Sequence, residues 1–302
     1  MRAILLGQHE PNTPEWDGLR SKGLGGSEIA AVVGLSPWQS RFSLWHLKRG
    51  TIGKQSVNDG MRWGTLLEPV VCDYFASQRD MLDVLPAGTY RHHEREWQIA
   101  NPDRLLWDDE HGHVGILEVK TAHQYDAHEW GYGPEDIPPY YRCQVLWYLD
   151  ALELPVAHLA VLIGGSDYRE YEIPYSADEA EWLREQGRLF WQSVTSGEAP
   201  EIDGSDATYE AVRELHPQIN GETVEIPADL HEWFQASKKA AEQAKTEHTA
   251  AKATLLDAMG DARYAEVGGE RAYRRQPNRS GISLVSVPPF RADQTKTTKE
   301  SA

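Results

Sequence analysis

The chain has two cysteines in 302 residues, Cys72 and Cys143. Two thiols cannot build a disulfide framework, a four-cysteine zinc site or a cysteine-ligated iron–sulfur cluster, so a reduced, cytoplasmic chain is expected. Long apolar runs are missing as well. None approaches the roughly 20 residues needed to span a bilayer, and the opening MRAILLGQHEPNTPEW has too short an apolar stretch to read as a signal peptide. Basic residues are in deficit: 30 Lys and Arg against 47 Asp and Glu leave a net charge of −17. That excludes a protein basic over its whole surface. It leaves open a local groove that handles phosphates with the help of bound cations. The remaining composition, 40% hydrophobic and 25% charged, suits one large globular domain or two smaller ones.

What is present is unevenly distributed. Eight of the eleven tryptophans precede residue 150, so the large apolar anchors lie in the first half. Residues 25–49 read as two helices, the first with Ser27 as N-cap after Gly25-Gly26, the second opened by Ser36-Pro37. Helical periodicity returns over Met61–Arg79, 140–152 and 178–196. Short strand-like runs fill 85–122, and Val156–Ile163 reads as a buried strand. This order predicts an α/β or α+β fold with a central mixed sheet flanked by helices, over residues 1–204. Residues 205–275 read as an extension. It holds one long helix or a helical hairpin at 227–259 and a β-hairpin around a Gly-Gly pair between Ala262 and Arg275. Residues 276–302 read as a basic, disordered tail; from Arg271 onward seven basic residues face two acidic ones.

One constellation carries chemistry. Asn101-Pro102-Asp103 ends one strand-like segment, and Leu117-Glu118-Val119-Lys120 follows in the next. Side chains alternate along a strand, so Glu118 and Lys120 share a face that Asp103 can reach from the neighbouring strand. An aspartate and a glutamate beside a lysine form an oxygen-rich pocket of the kind Mg²⁺ selects. This is the PD-(D/E)xK pattern, which by itself also describes an exposed strand face with a surface ion pair worth at most ~1 kcal/mol. Two features add to it. Glu68 is the single acid in the apolar run Trp63–Cys72, and Gln144 and Tyr148 are spaced i, i+4 on one helix. His92-His93 and His111-Gly-His113 read as solvated histidines.

Taken together, Gly25–Ala30, Gly34–Trp38, Trp63-Gly64 through Glu68-Pro69, Asn101–Asp103, Leu117–Lys120 and Gln144–Tyr148 resemble the lambda-type exonucleases of phage recombination systems, in their YqaJ-like branch. The likeness covers roughly residues 18–200. It implies a restriction-endonuclease-like PD-(D/E)xK core with a helical C-terminal extension. It also implies a site for Mg²⁺ or Mn²⁺, as a two-metal centre, on Glu68, Asp103, Glu118 and the Val119 carbonyl. Lys120 would position or activate water, with Gln144 in the catalytic set. Arg20 and Ser27 would hold a terminal 5′-phosphate, with Tyr148 as a further DNA contact. The implied activity is 5′-to-3′ digestion of double-stranded DNA ends, leaving 3′ overhangs for a single-strand annealing protein. The implied setting is a ring-shaped homo-oligomer, a trimer in relatives, in the cytoplasm of a bacterial host and away from membranes. The alternatives are a structure-specific or Cas4-like nuclease, which expects four cluster cysteines, and a non-catalytic DNA-binding recombination scaffold.

Overall fold

In the computed structural model, which describes residues 1–54, 56–133, 135–279 and 281–287, the chain divides between Ile219 and Asn220 into two units. The first begins with β1 (Ile4–Gly7) and α1 (Pro14–Arg20), whose Thr13 hydroxyl accepts from the Trp16 N–H. The two-residue β2 (Leu24–Gly25) runs directly into α2 (Gly26–Val32), so the cap is Gly25 and not Ser27. The Glu28 carboxylate takes the free Gly25 N–H instead, at 2.7 Å. Helix α3 (Arg41–Lys48) starts later than expected. Ser40 and Ser43 cap it reciprocally, while the Ser36 hydroxyl closes the preceding turn by accepting from Trp38 and Gln39. Helix α4 (Asp59–Ser77) buries Val71, Cys72 and Phe75 but leaves Trp63, Leu66, Val70 and Tyr74 exposed. Only its second half is packed into a core.

Next come β3 (Asp83–Pro86), β4 (Thr89–Arg91), β5 (Gln98–Ala100), β6 (Arg104–Asp108) and β7 (Gly112–Ala122). They are followed by α5 (Pro139–Leu152), β8 (Val156–Ile163), β9 (Asp167–Pro174) and α6 (Ala177–Ser196). A four-stranded sheet has the order β1-β4-β5-β2, and a five-stranded sheet the order β3-β6-β7-β8-β9. Only β7 and β8 are parallel within the larger sheet, and the crossover that parallel strands require is α5. That helix is buried continuously from Cys143 to Leu152. Its neighbours approach closely because they offer glycine: a Cβ at Gly26 would lie 2.4 Å from the Tyr148 ring, and one at Gly187 of α6 2.5 Å from the Trp147 ring.

Helix α7 (Asp206–Leu215) packs on α3, its Thr208 hydroxyl donating to Ser40 Oγ at 2.7 Å. The first unit therefore runs past residue 204 to Ile219. In the second unit α8 (Ala228–Met259) is one helix rather than a hairpin. Strands β10 (Tyr264–Val267) and β11 (Glu270–Asn278) meet at Gly268-Gly269, whose φ values of 63° and 88° favour glycine. The composition predicts disorder from residue 276. The structure instead continues β11 to Asn278 and adds β12 (Gly281–Ser286), which pairs Leu284 with Arg275 and Ile282 with Pro277. Pro277 is tolerated because β10 pairs only as far as Arg274, so no strand needs its missing N–H on that side. The rest of the expected tail, 288–302, lies outside the described residues. No helix among the described residues is long and apolar enough to cross a membrane.

Candidate active site

Strand β7 lies inside the five-stranded sheet, and its alternation sorts the site. Leu117 and Val119 face a small core with Val71, Cys72 and Phe75 of α4, while Glu118 and Lys120 face the other way, toward α5. Glu118 is almost fully buried, and its Oε1 accepts from Lys120 Nζ and from Gln144 Nε2, both at 2.6 Å. Gln144 also donates to the Tyr148 hydroxyl at 3.2 Å. Asp103 enters from the turn before β6 and is fixed to β7 by the Val119 N–H, which donates to its Oδ2 at 2.7 Å. Glu68 joins at one remove. Its Oε1 accepts from Arg104 Nη1 at 2.9 Å, and the same nitrogen donates to the Asp103 carbonyl at 2.6 Å. Arg104 follows Asp103 directly in sequence, where nothing distinguished it from a surface arginine.

Glu68 and Asp103 are half-buried beside the buried Glu118, and such neighbours resist ionising together. Burial, and then Glu118, push Asp103 up to about 7. Burial also raises Glu118, against the pull of Lys120, and Glu68 is raised by burial and by Asp103. Lys120 is drawn down by burial, yet Glu118 and Asp103 more than offset this and hold it above its usual range. Glu118 Oε2 is buried with no hydrogen-bond partner, an uncommon state for a buried carboxylate oxygen. An oxygen-only donor set with a surplus of negative charge and an orphaned oxygen fits a hard divalent cation.

A second network adjoins the first across the α2–α5 contact. Arg20 donates from Nη2 to Ser27 Oγ at 2.6 Å, and its guanidinium lies 4.4 Å from the centre of the Trp16 ring. Beneath it the nearly buried Lys48 Nζ bonds Glu28 at 2.8 Å and the carbonyls of Gly23 and Arg20 at 2.7 and 3.1 Å. Glu28 and Lys48, twenty positions apart, carried no spacing signal. Tyr148 differs from expectation. Only 3% exposed and pressed under Gly26, it cannot offer its ring to a nucleic acid and instead braces Gln144. Of the early tryptophans, Trp45 and Trp147 are buried as apolar anchors, whereas Trp38 and Trp63 are exposed.

Among the described residues a different group has the tightest ligand spacing: one ligand atom each of His92, His93 and Glu153 lie within 4.8 Å of one another, a closeness that Glu68, Asp103 and Glu118 do not reach as a set. The expectation of solvated histidines fails for His92, which is 2% exposed. Its hydrogen bonds nonetheless argue against a metal. The Nδ1 lone pair accepts the N–H groups of Glu94 and Arg95 at 3.0 and 3.1 Å, which places the proton of the neutral ring on Nε2. Arg2 occupies both Glu153 oxygens, at 2.8 and 2.5 Å. Burial, and then Arg95, hold His92 down to about 4. Because the unfolded ring titrates near 6.5, its neutral form favours the fold above that pH. Stability is expected to fall by roughly 1–3 kcal/mol as pH drops from about 6.5 to about 4. Urea unfolding across this window checks it: His92→Gln is expected to flatten the slope, and an unaltered slope would assign it elsewhere.

Residues 15–151 match the YqaJ-like viral recombinase domain. The protein YqaJ of Bacillus subtilis (strain 168), itself uncharacterized, is 31% identical over 277 residues, or 89% of this chain and 85% of that one. The crystal structure of an alkaline exonuclease (LHK-Exo) from Laribacter hongkongensis aligns with a TM-score of 0.50 at 18% identity, over 61% of this chain and 94% of its own. The mixed sheet with flanking helices is thus a PD-(D/E)xK fold of the alkaline exonuclease type. With nearly the whole length matched in one relative and the motif-bearing region in the domain, the chain belongs to the YqaJ-like viral recombinase family.

Proposed function

We propose that the protein is a Mg²⁺-dependent DNA exonuclease that degrades one strand of a duplex from its 5′ end. The observation that carries this reading is the buried Glu118, with an unpartnered oxygen, beside Asp103 and Lys120. Glu68, Asp103, Glu118 and the Val119 carbonyl would hold the cation, or two of them, with Mn²⁺ as a substitute. When bound, such a cation supplies neutralisation of charge developing on phosphate oxygens and acidification of water. The protein's own groups do the rest. Lys120 donates to the attacking water and orients it toward phosphorus. Gln144, braced by Tyr148, fixes the Glu118 rotamer, and Arg104 keeps Glu68 turned toward Asp103. Arg20 and Ser27 offer a planar donor fork and a hydroxyl, which suit the extra charge of a terminal phosphate. The remaining 3′ strand would pass to a single-strand annealing protein, and a ring-shaped homo-oligomer, a trimer as in lambda-type enzymes, would keep the enzyme on its track.

The test is digestion of duplexes labelled at either the 5′ or the 3′ end, in Mg²⁺. Early release of the 5′ label with the 3′ label kept on long fragments is the expected result; the reverse order would overturn the polarity. The same assay reads the phosphate pocket. Arg20→Ala is expected to reduce the preference for 5′-phosphate over 5′-hydroxyl ends by roughly 10- to 150-fold if one charge-assisted bond of about 1.5–3 kcal/mol is lost. A preserved ratio would return Arg20 to a purely structural part. A Cas4-like cluster finds no support in the thiols: Cys72 and Cys143 are both buried, and burial pushes Cys72 up to about 12.

A further inference from the structure

In residues 1–219 every arginine has an assigned contact. Arg41 and Arg49 donate to the carbonyls of Val32 and Val194. Each of the others lies within ion-pair distance of a carboxylate. The three-stranded sheet of the second unit breaks this pattern. Arg275 is tied to the Gly260 carbonyl and lies 3.8 Å from Asp261. Arg263, Arg271, Arg274 and Arg279 are exposed, and among the described residues no carboxylate comes within ion-pair reach of them.

Strand register gathers two of these four on one face, and the Tyr264 ring draws in a third. Arg274 pairs with Tyr264, so both leave the same face of the sheet. The register then slips between Ala265 and Glu266, which leaves one extra residue on β11 and sets Arg271 opposite Glu266 on that same face. The Arg271 guanidinium lies 4.2 Å from the centre of the Tyr264 ring and that of Arg263 lies 5.3 Å from it. A cavity of about 640 Å³ lined by Arg263, Arg274, Arg275 and Gln276 opens beside them, with Asp261, 3.8 Å from Arg275, as its acid. The acid on this face, Glu266, neutralises none of them at ion-pair distance.

We propose that this face of the β10–β12 sheet binds the sugar–phosphate backbone of DNA, as a contact additional to the candidate active site. Guanidiniums crowded without counter-charges repel one another, and a phosphate relieves that repulsion with paired donors. The ring of Tyr264 adds a surface on which an unpaired base can stack. The charge distribution shows why such a handle is needed. Residues 1–219 carry 18 basic against 35 acidic residues, and residues 220–302 carry 12 against 12, so the whole net charge of −17 sits on the first unit. Polyanionic DNA is repelled by that unit and met by this sheet. The inference rests on DNA as the substrate.

The experiment uses the full chain without divalent cations and measures fluorescence anisotropy of labelled single-stranded and duplex oligonucleotides between about 50 and 200 mM salt. Arg271→Gln with Arg274→Gln is expected to weaken binding. The log–log salt slope is expected to fall by about 0.7 per residue on single strands or about 0.9 on duplex, and the arm with the larger loss of affinity names the form held. The corresponding Lys double variant is expected to keep the slope, as is Arg188→Gln, which removes an arginine already paired with Glu185. A wild-type slope in the Gln variant overturns the inference. So does unchanged DNA binding with an altered oligomeric state, which would make the face a docking surface for the acidic unit of another copy. Digestion in Mg²⁺ separates the two readings: if the wild type degrades DNA and the Gln slope is unchanged, only this inference falls. If the slope drops and no degradation occurs, the nuclease reading falls alone.

Discussion

Glu118→Gln is expected to lower DNA cleavage by at least two to three orders of magnitude, the loss typical of removing one charge that stabilises a phosphoryl transition state. The substitution keeps side-chain volume and a hydrogen-bonding oxygen, so packing against Gln144 can persist. What disappears is the negative charge that would hold the cation and anchor Lys120 at 2.6 Å. Asp103→Ala and Lys120→Ala are expected to reach a comparable floor, because groups that act as a unit do not contribute additively. The checking measurement is the initial rate of duplex degradation in saturating Mg²⁺, beside thermal melts that report the fold. A variant that cleaves at close to the wild-type rate would remove the mechanism. Ca²⁺ is expected to support little turnover, since its looser coordination positions water poorly.

Gly26→Ala is expected to destabilise the protein by about 1–3 kcal/mol, the usual cost of overpacking a core. The direction is not obvious in advance, because alanine is the better helix former by up to ~1 kcal/mol. Geometry decides it: the new methyl would sit 2.4 Å from the Tyr148 ring and 3.0 Å from the Gln144 carbonyl, which is backbone and cannot swing aside. The ring must shift, and with it the hydroxyl that braces Gln144 against Glu118. Urea unfolding reads the stability loss, and the turnover rate at saturating DNA is expected to drop with it. Equal or greater stability in the Ala variant would mean that the α2–α5 contact is looser than the distances imply.

Much of this arrangement was legible in the chain itself. Glu118 and Lys120 sit on one strand, where alternation alone puts them on a shared face, and Asp103 leads directly into the adjacent antiparallel strand. The Val156–Ile163 strand could be read to the residue because β-branched runs buried on both faces have few other uses. Other features depend on long-range contacts that leave no periodic trace. Arg104 acquires its place only when α4 brings Glu68 against β6, and Lys48 only when α3 folds back on the loop after α1. The family likeness, and no periodicity, put Tyr148 on the DNA, and its i, i+4 spacing from Gln144 does not distinguish a buried ring from an exposed one. His92 is enclosed by Arg2 and Glu153, from distant parts of the chain. Strand β12 was hidden by the basic, polar composition of the final stretch, which reads as disorder and carries no trace of the β11 edge it pairs with.

The enclosure of α5 sets an order on biosynthesis. Trp147 on that helix closes against Gly187 of α6, and Tyr148 against Gly26 of α2, so the wall behind Gln144 is assembled from segments some 160 positions apart in the chain. A nascent chain that has emerged only through β8 already holds every residue of the candidate catalytic set, yet its central helix lacks one of its covers. Partly made protein would therefore be inert and adhesive at the same time, with Trp147 and its neighbours open to other chains. On the proposed activity, competence would wait until α6 has left the ribosome.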